Sequence, residues 1–106
     1  MSKYLLIYTG GHMPKGEEAQ AKVMKAWEDW LGGLGAAAVD PGNPIGPDNK
    51  KIESNGDVSD EGFNPGLTGY SILEADSLEN ATKLAQGCPG LKDGGQVYVY
   101  EIFNAM

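Results

Sequence analysis

Among 106 residues, the side chains suited to acid–base or nucleophilic chemistry near neutral pH are few, and His12, Asp40 and Cys88 lead them. His12 is the sole histidine and follows a strand-like run in "IYTGGHMPKG". An unperturbed imidazole titrates at about 6.5, so it can take or give a proton without special tuning. Asp40 closes the apolar "AAAV" just before Pro41-Gly42, where its carboxyl could orient such a histidine. The competing reading is a turn aspartate that accepts from nearby backbone amides. Cys88 is the only cysteine and lies between Gly87 and Pro89, a helix-end context. It can form no intramolecular disulfide, and a reactive thiol needs an electropositive setting that these neighbours do not supply. One histidine and one distant cysteine make no metal cluster, so no metal is expected. No phosphate-binding loop, dinucleotide fingerprint or Ser-His-Asp order is present, and no cofactor is expected.

A second group of side chains could shape a binding pocket. Trp27 and Trp30 stand three apart on a helical stripe, which is first of all a core pattern. Trp27 could also form one wall of an apolar pocket between helix and sheet, with Tyr8 and Tyr70 opposite and the loop around Phe63 as its roof.

These residues need elements to hold them. "KYLLIYT" (3–9) reads as a strand ended by Gly10-Gly11. Residues 17–34 follow a helical period, with Val23, Trp27, Trp30 and Leu34 on one sector flanked by Met24 and Leu31. Glu17 and Glu18 suit the positive end of that helix, and "GGLG" supplies its stop. A small-residue strand over 36–40 closes at Pro41-Gly42. Asn55-Gly56, at the centre of "KKIESNGDVSD", signals a hairpin between short strands. "LTGYSILEA" (67–75) is the next strand. Asp76 or Ser77 then caps a second helix, with Glu79 completing a box with Asp76 and with Leu78, Ala81, Leu84 and Ala85 on its apolar face. "QVYVYEIF" (96–103) is the last strand.

The order is βαββαβ with an added hairpin, which predicts an α+β, ferredoxin-like antiparallel sheet with two helices on one face, within one domain over 1–106. The first and last strands are apolar on both parities: Tyr4, Leu6 and Tyr8 against Leu5 and Ile7, and Val97 and Val99 against Tyr98, Tyr100 and Ile102. Two helices cover only one face, so the other must meet something else. The economical partner is the same face of a second copy, giving a homodimer.

Eight lysines and no arginine against 15 acidic residues give a net charge of −7. Nucleic acids and anionic membranes call for a basic face with guanidinium forks, so neither is an expected partner. The apolar start is too short for a signal peptide or membrane span, and with the lone cysteine this predicts a cytoplasmic protein.

The residues just quoted carry a family likeness. "KYLLIY", "WEDWLGGLGA", the Asn55-Gly56 hairpin, "GYSILEADSLENATKLAQGCP" and "VYVYEIF" together resemble the YCII-related family, in its Asp-Gly-Pro-Phe (DGPF) branch. The signature tetrapeptide is present only in altered form as Asp60-Glu61-Gly62-Phe63, and "NPGLT" replaces the Lys and Glu residues common after it. The resemblance implies a dimeric α/β barrel. It does not carry over a catalytic histidine, because Trp27 stands at about the place on the first helix where the YCII branch has one.

The preferred reading is a homodimeric module that binds a small organic molecule in a cleft between helix and sheet. The alternative is a cofactor-free enzyme acting on a small aromatic or carbonyl substrate, in which His12 moves a proton, Asp40 orients it and Tyr70 donates a hydrogen bond. A purely structural dimer, with both sheet faces filled as core, is the third.

Overall fold

The structure is a computed structural model that describes residues 1–11, 14–63 and 66–103. Strand β1 (Ser2–Gly10) leads to helix α1 (Glu17–Leu34), a short 3-10 turn (Gly35–Ala37) and strand β2 (Ala38–Pro44). The small strands β3 (Lys51–Ile52) and β4 (Val58–Ser59) form the hairpin. Strand β5 (Leu67–Ala75), helix α2 (Leu78–Ala85), a second 3-10 turn (Pro89–Asp93) and strand β6 (Gly95–Glu101) complete the order. The main sheet runs β2-β5-β1-β6 with every pair antiparallel, the arrangement of a ferredoxin-like α+β fold.

The sheet's two faces follow from its pleat, because alternate residues point to opposite sides. Tyr4, Leu6 and Tyr8 of β1 and Ser71, Leu73 and Ala75 of β5 are buried beneath the helices. Leu6 and Leu73 are fully enclosed, each stabilising the fold by about 1.5–3 kcal/mol through removal of its apolar surface from water. Ala81 and Ala85 of α2 close this core, with Trp27, Trp30, Leu34, Val97 and Val99 packed around it. On the other face the register sets Ile72–Leu5–Tyr100 in one cross-strand row and Tyr70–Ile7–Tyr98 in the next. No element of the described chain covers these rows, and Tyr98 and Tyr100 are exposed.

Several local expectations are corrected. Strand β2 does not stop at Pro41-Gly42 but runs to Pro44, with register shifts on both sides of Asp40. As an edge strand it tolerates proline, whose missing N–H costs no ladder bond there. Gly42 sits at φ +78°, and a Cβ on it would lie 1.6 Å from the Tyr70 carbonyl oxygen, so only glycine fits this bulge. Asn55-Gly56 does turn the hairpin, but no non-glycine residue among those described has positive φ, so the two-residue turn with both centres left-handed does not form. The turn is wider: the Gly56 N–H donates to the Glu53 carbonyl and the Glu53 N–H to the Asp57 carbonyl.

Helix α2 is capped by Ser77, whose Oγ accepts from the Asn80 N–H at 3.1 Å. Asp76 instead accepts from the Asn80 side chain, and Glu79 pairs with Lys83, so the expected box does not form. Leu78 and Met24, placed on apolar faces by periodicity, are exposed, because each lies at the margin of its helix's buried stripe.

Candidate functional site

A cleft of about 270 Å³ opens at the end of the sheet where β1 finishes, between α1, the strand ends and the 3-10 turn after α2. Local sequence explains its position. Strand β1 ends at Gly10-Gly11, and a register shift between Tyr8 and Thr9 bends the β1–β5 pair at this point. From the other side Gly95 brings β6 hard against the turn: a Cβ there would lie 2.9 Å from the Gly90 carbonyl oxygen. Pro89 starts the turn and Gly94, at φ +85°, ends it. This folds Cys88, Gly90 and Asp93 back toward the helix, to face Val23 and Trp27.

Tyr8 and Trp27 form the aromatic corner, with ring centroids 5.1 Å apart and planes at 75°, and Trp30 continues the edge-to-face series at 5.7 Å. Such pairs contribute about 0.5–1.5 kcal/mol beyond their burial. Trp30 is fixed separately, its indole N–H donating to the Leu84 carbonyl at 3.2 Å. The Tyr8 hydroxyl donates to Ser71 Oγ at 2.7 Å, and Ser71 donates in turn to the Pro41 carbonyl at 2.7 Å. Burial pushes the Tyr8 phenol up to about 12, against the opposing effect of the Ser71 hydrogen bond. Burial likewise pushes the Cys88 thiol up, outweighing the Gly90 and Leu91 amides that favour the thiolate. Both groups are therefore neutral at physiological pH, and Cys88 is not an activated nucleophile. Thr9 Oγ1 donates to Gln96 Oε1 at 3.4 Å and the Tyr98 hydroxyl donates to the same oxygen at 3.4 Å, which groups these side chains with Tyr98 on the open face. Asp93 is the acidic residue of the described lining.

Of the site residues expected from sequence, the structure brings Tyr8 and Trp27 together in this cleft. Tyr70 lies on the opposite, uncovered face of the sheet, because Tyr8 pairs with Gly69 and the next residue along β5 points away. Phe63 is an exposed loop residue and does not line the cleft. Asp40 is also outside the lining, and its Oδ1 accepts from the Gly42 N–H at 2.8 Å, the turn-aspartate geometry. His12 lies outside the described residues. Thr9, Asp93 and Gln96 line the cleft without having stood out in the sequence as site residues. The run "CPGLKDGG" carries the signal that points to Asp93, a proline-started and glycine-ended turn between a helix and a strand.

Fold and cleft together define a ferredoxin-like α+β protein with an apolar pocket at one end of its sheet. Among solved structures, the chain is similar to 5-chloro-2-hydroxyhydroquinone dehydrochlorinase from Burkholderia phenoliruptrix, in complex with 2,5-dihydroxybenzoquinone. The TM-score is 0.58 at 17% identity, over 96% of this chain and 95% of that one. At this identity the likeness carries the fold alone. No family model and no curated protein matches the chain. No helix among the described residues is long and apolar enough to cross a membrane.

Proposed function

We propose that the protein binds a small, one-ring organic molecule in the cleft beside Trp27, and that it works as a homodimer assembled through the open sheet face. The observation that carries the ligand reading is the Tyr8–Trp27 corner of an apolar cleft whose described lining also holds Asp93. An apolar body with a few convergent polar groups is what small-molecule sites commonly present, and a space of about 270 Å³ suits one ring better than two. The similar dehydrochlorinase, with its bound dihydroxybenzoquinone, supports a hydroxylated or quinonoid ring as the first ligand to try. The dimer reading is supported by the two uncovered rows of apolar and aromatic side chains.

The enzymatic alternative is favoured by one observation, the acidic residue Asp93 in the described lining of the cleft. Asp40 is held in its own turn and lies outside the cleft, so in this reading the acidic role passes to Asp93.

Titration of the intrinsic tryptophan fluorescence with 2,5-dihydroxybenzoquinone, 1,4-hydroquinone and benzoate tests the binding reading. Saturable quenching by at least one ring is expected, lost in Trp27→Leu and kept in Phe63→Ala. No saturable binding by any of the three overturns it. Slow chemical conversion of a bound ring that disappears in Asp93→Asn, with binding retained, would move the conclusion to the enzymatic reading.

A further inference from the structure

The hairpin between β2 and β5 belongs to neither the core nor the cleft. Its two strands pair only with each other, and the region touches the main sheet near its root, where the Ile45 N–H donates to the Thr68 carbonyl at 3.0 Å. The arm's lysines are engaged within it: Lys50 with Asp60, and Lys51 with Glu53 and Glu61. Its large apolar side chains are not engaged. Ile52 is 70% exposed, Val58 63% and Phe63 73%. An excursion of this length inside a small domain is uncommon unless it has a task, and a two-stranded hairpin is marginal on its own. The radius of gyration is 15.3 Å, whereas a compact chain of this length has about 13 Å.

The area of the open sheet face says what the arm is for. Four strands about 4.8 Å apart and seven paired rows of about 3.4 Å give a flat footprint of about 450 Å² per copy. A standard stable interface buries about 800 Å² per partner. Side-chain relief raises the accessible area above this flat figure, but only two rows of the face, Ile72–Leu5–Tyr100 and Tyr70–Ile7–Tyr98, are apolar. The same chain carries a second unburied apolar surface on an arm rooted at the Thr68 end of β5.

We propose that the arm of one copy packs against a second copy, adding Ile52, Val58 and Phe63 to the interface made by the open sheet faces. This rests on the homodimer reading above. A twofold interface is self-complementary, so each arm reaches its partner and both deficits are filled at once.

Sedimentation of the full chain, with a benzophenone amino acid placed at position 58 for photocrosslinking, tests it. The wild type is expected to be a dimer, and the double variant Ile52→Asp/Val58→Asp to raise the dimer dissociation constant at least about tenfold with unchanged circular dichroism. Irradiation is expected to give a covalent dimer joined between subunits. The milder Ile52→Ser/Val58→Ser variant is expected to shift the constant in the same direction. If the arm variants dimerise like wild type while Tyr100→Asp dissociates, the arm has no such role and the sheet-face dimer stands alone. Crosslinks formed only within one chain likewise exclude the arm from the interface. A wild type that stays monomeric at high micromolar concentration overturns the arm and the dimer together.

Discussion

Leu73 and Ile72 are neighbours on one strand, yet they belong to different regimes. Leu73 is sealed under the helices, whereas Ile72 lies in an apolar row that nothing in the described chain covers. Apolar character is the same on both sides, so composition does not tell them apart. The difference is supply: α1 and α2 are both spent on one side of the sheet, leaving the other side with rows but no lid. A half-finished face of this kind is a demand for a partner. The finished face, by contrast, can give up a little of its packing at one end to form a cleft.

The sharpest test of that contrast is the adjacent pair itself. Leu73→Ala is expected to cost about 2–5 kcal/mol in denaturant unfolding at every protein concentration, because it opens a cavity in a closed core. Ile72→Ala should cost less in dilute protein, and its cost should grow with concentration if the open face is an interface. Equal, concentration-independent losses would erase the distinction. Next in size, Gly42→Ala should destabilise by about 1–3 kcal/mol, since a left-handed φ and a collision with the Tyr70 carbonyl must both be relieved. A fully stable variant would mean that the β2 bulge relaxes freely.

Ser71→Ala tests the polar seam within the covered face. It strands the buried Tyr8 hydroxyl and should cost about 1–3 kcal/mol. Adding Tyr8→Phe should recover part of that loss, and strict additivity would show that the two hydroxyls are not coupled. The same seam predicts a pH response. The folded phenol titrates at about 12 against an ordinary value of 10.0, so the folded state holds its proton more tightly. That contribution is complete below pH 10 and is lost as pH rises toward 12, where the unfolded chain ionises first. Urea midpoints taken across this window should fall for wild type and fall less for Tyr8→Phe. The smallest effect is expected at the exposed Lys25–Asp29 pair, 3.5 Å apart on α1, where Lys25→Ala should change stability by no more than about 0.5 kcal/mol.

The fold is legible in the sequence because its signals are periodic. The Val23–Trp27–Trp30–Leu34 stripe and the doubly apolar parities of β1 and β6 stand there in plain form, and they fix which elements exist and that one sheet face lacks a cover. The end of β2 is not legible. Pro41-Gly42 marks a break only in a strand paired on both sides, and that this strand lies at an edge is a fact of topology. The site is legible in half. Trp27 and Tyr8 each face the core by periodicity, so their meeting follows from helix lying on sheet. Tyr70 falls on the face opposite to the one expected because the relative parity of β1 and β5 depends on register, and Tyr8 opposite Gly69 settles it. Asp93 reaches the cleft only through the fold-back of the turn after Cys88, a tertiary return with no local period to announce it.

The bulged margin of the sheet has one more consequence. Strands that associate side by side propagate into ribbons only when both outer strands can pair. Here one outer strand, β2, is interrupted by Pro41, the Gly42 bulge and Pro44, while the other, β6, is regular from Gly95 to Glu101. Lateral joining through β6 therefore ends with two chains, each presenting its broken margin outward. A chain that leaves a broad apolar face bare is guarded in this way against fibrous growth, and its association is steered toward closed assemblies.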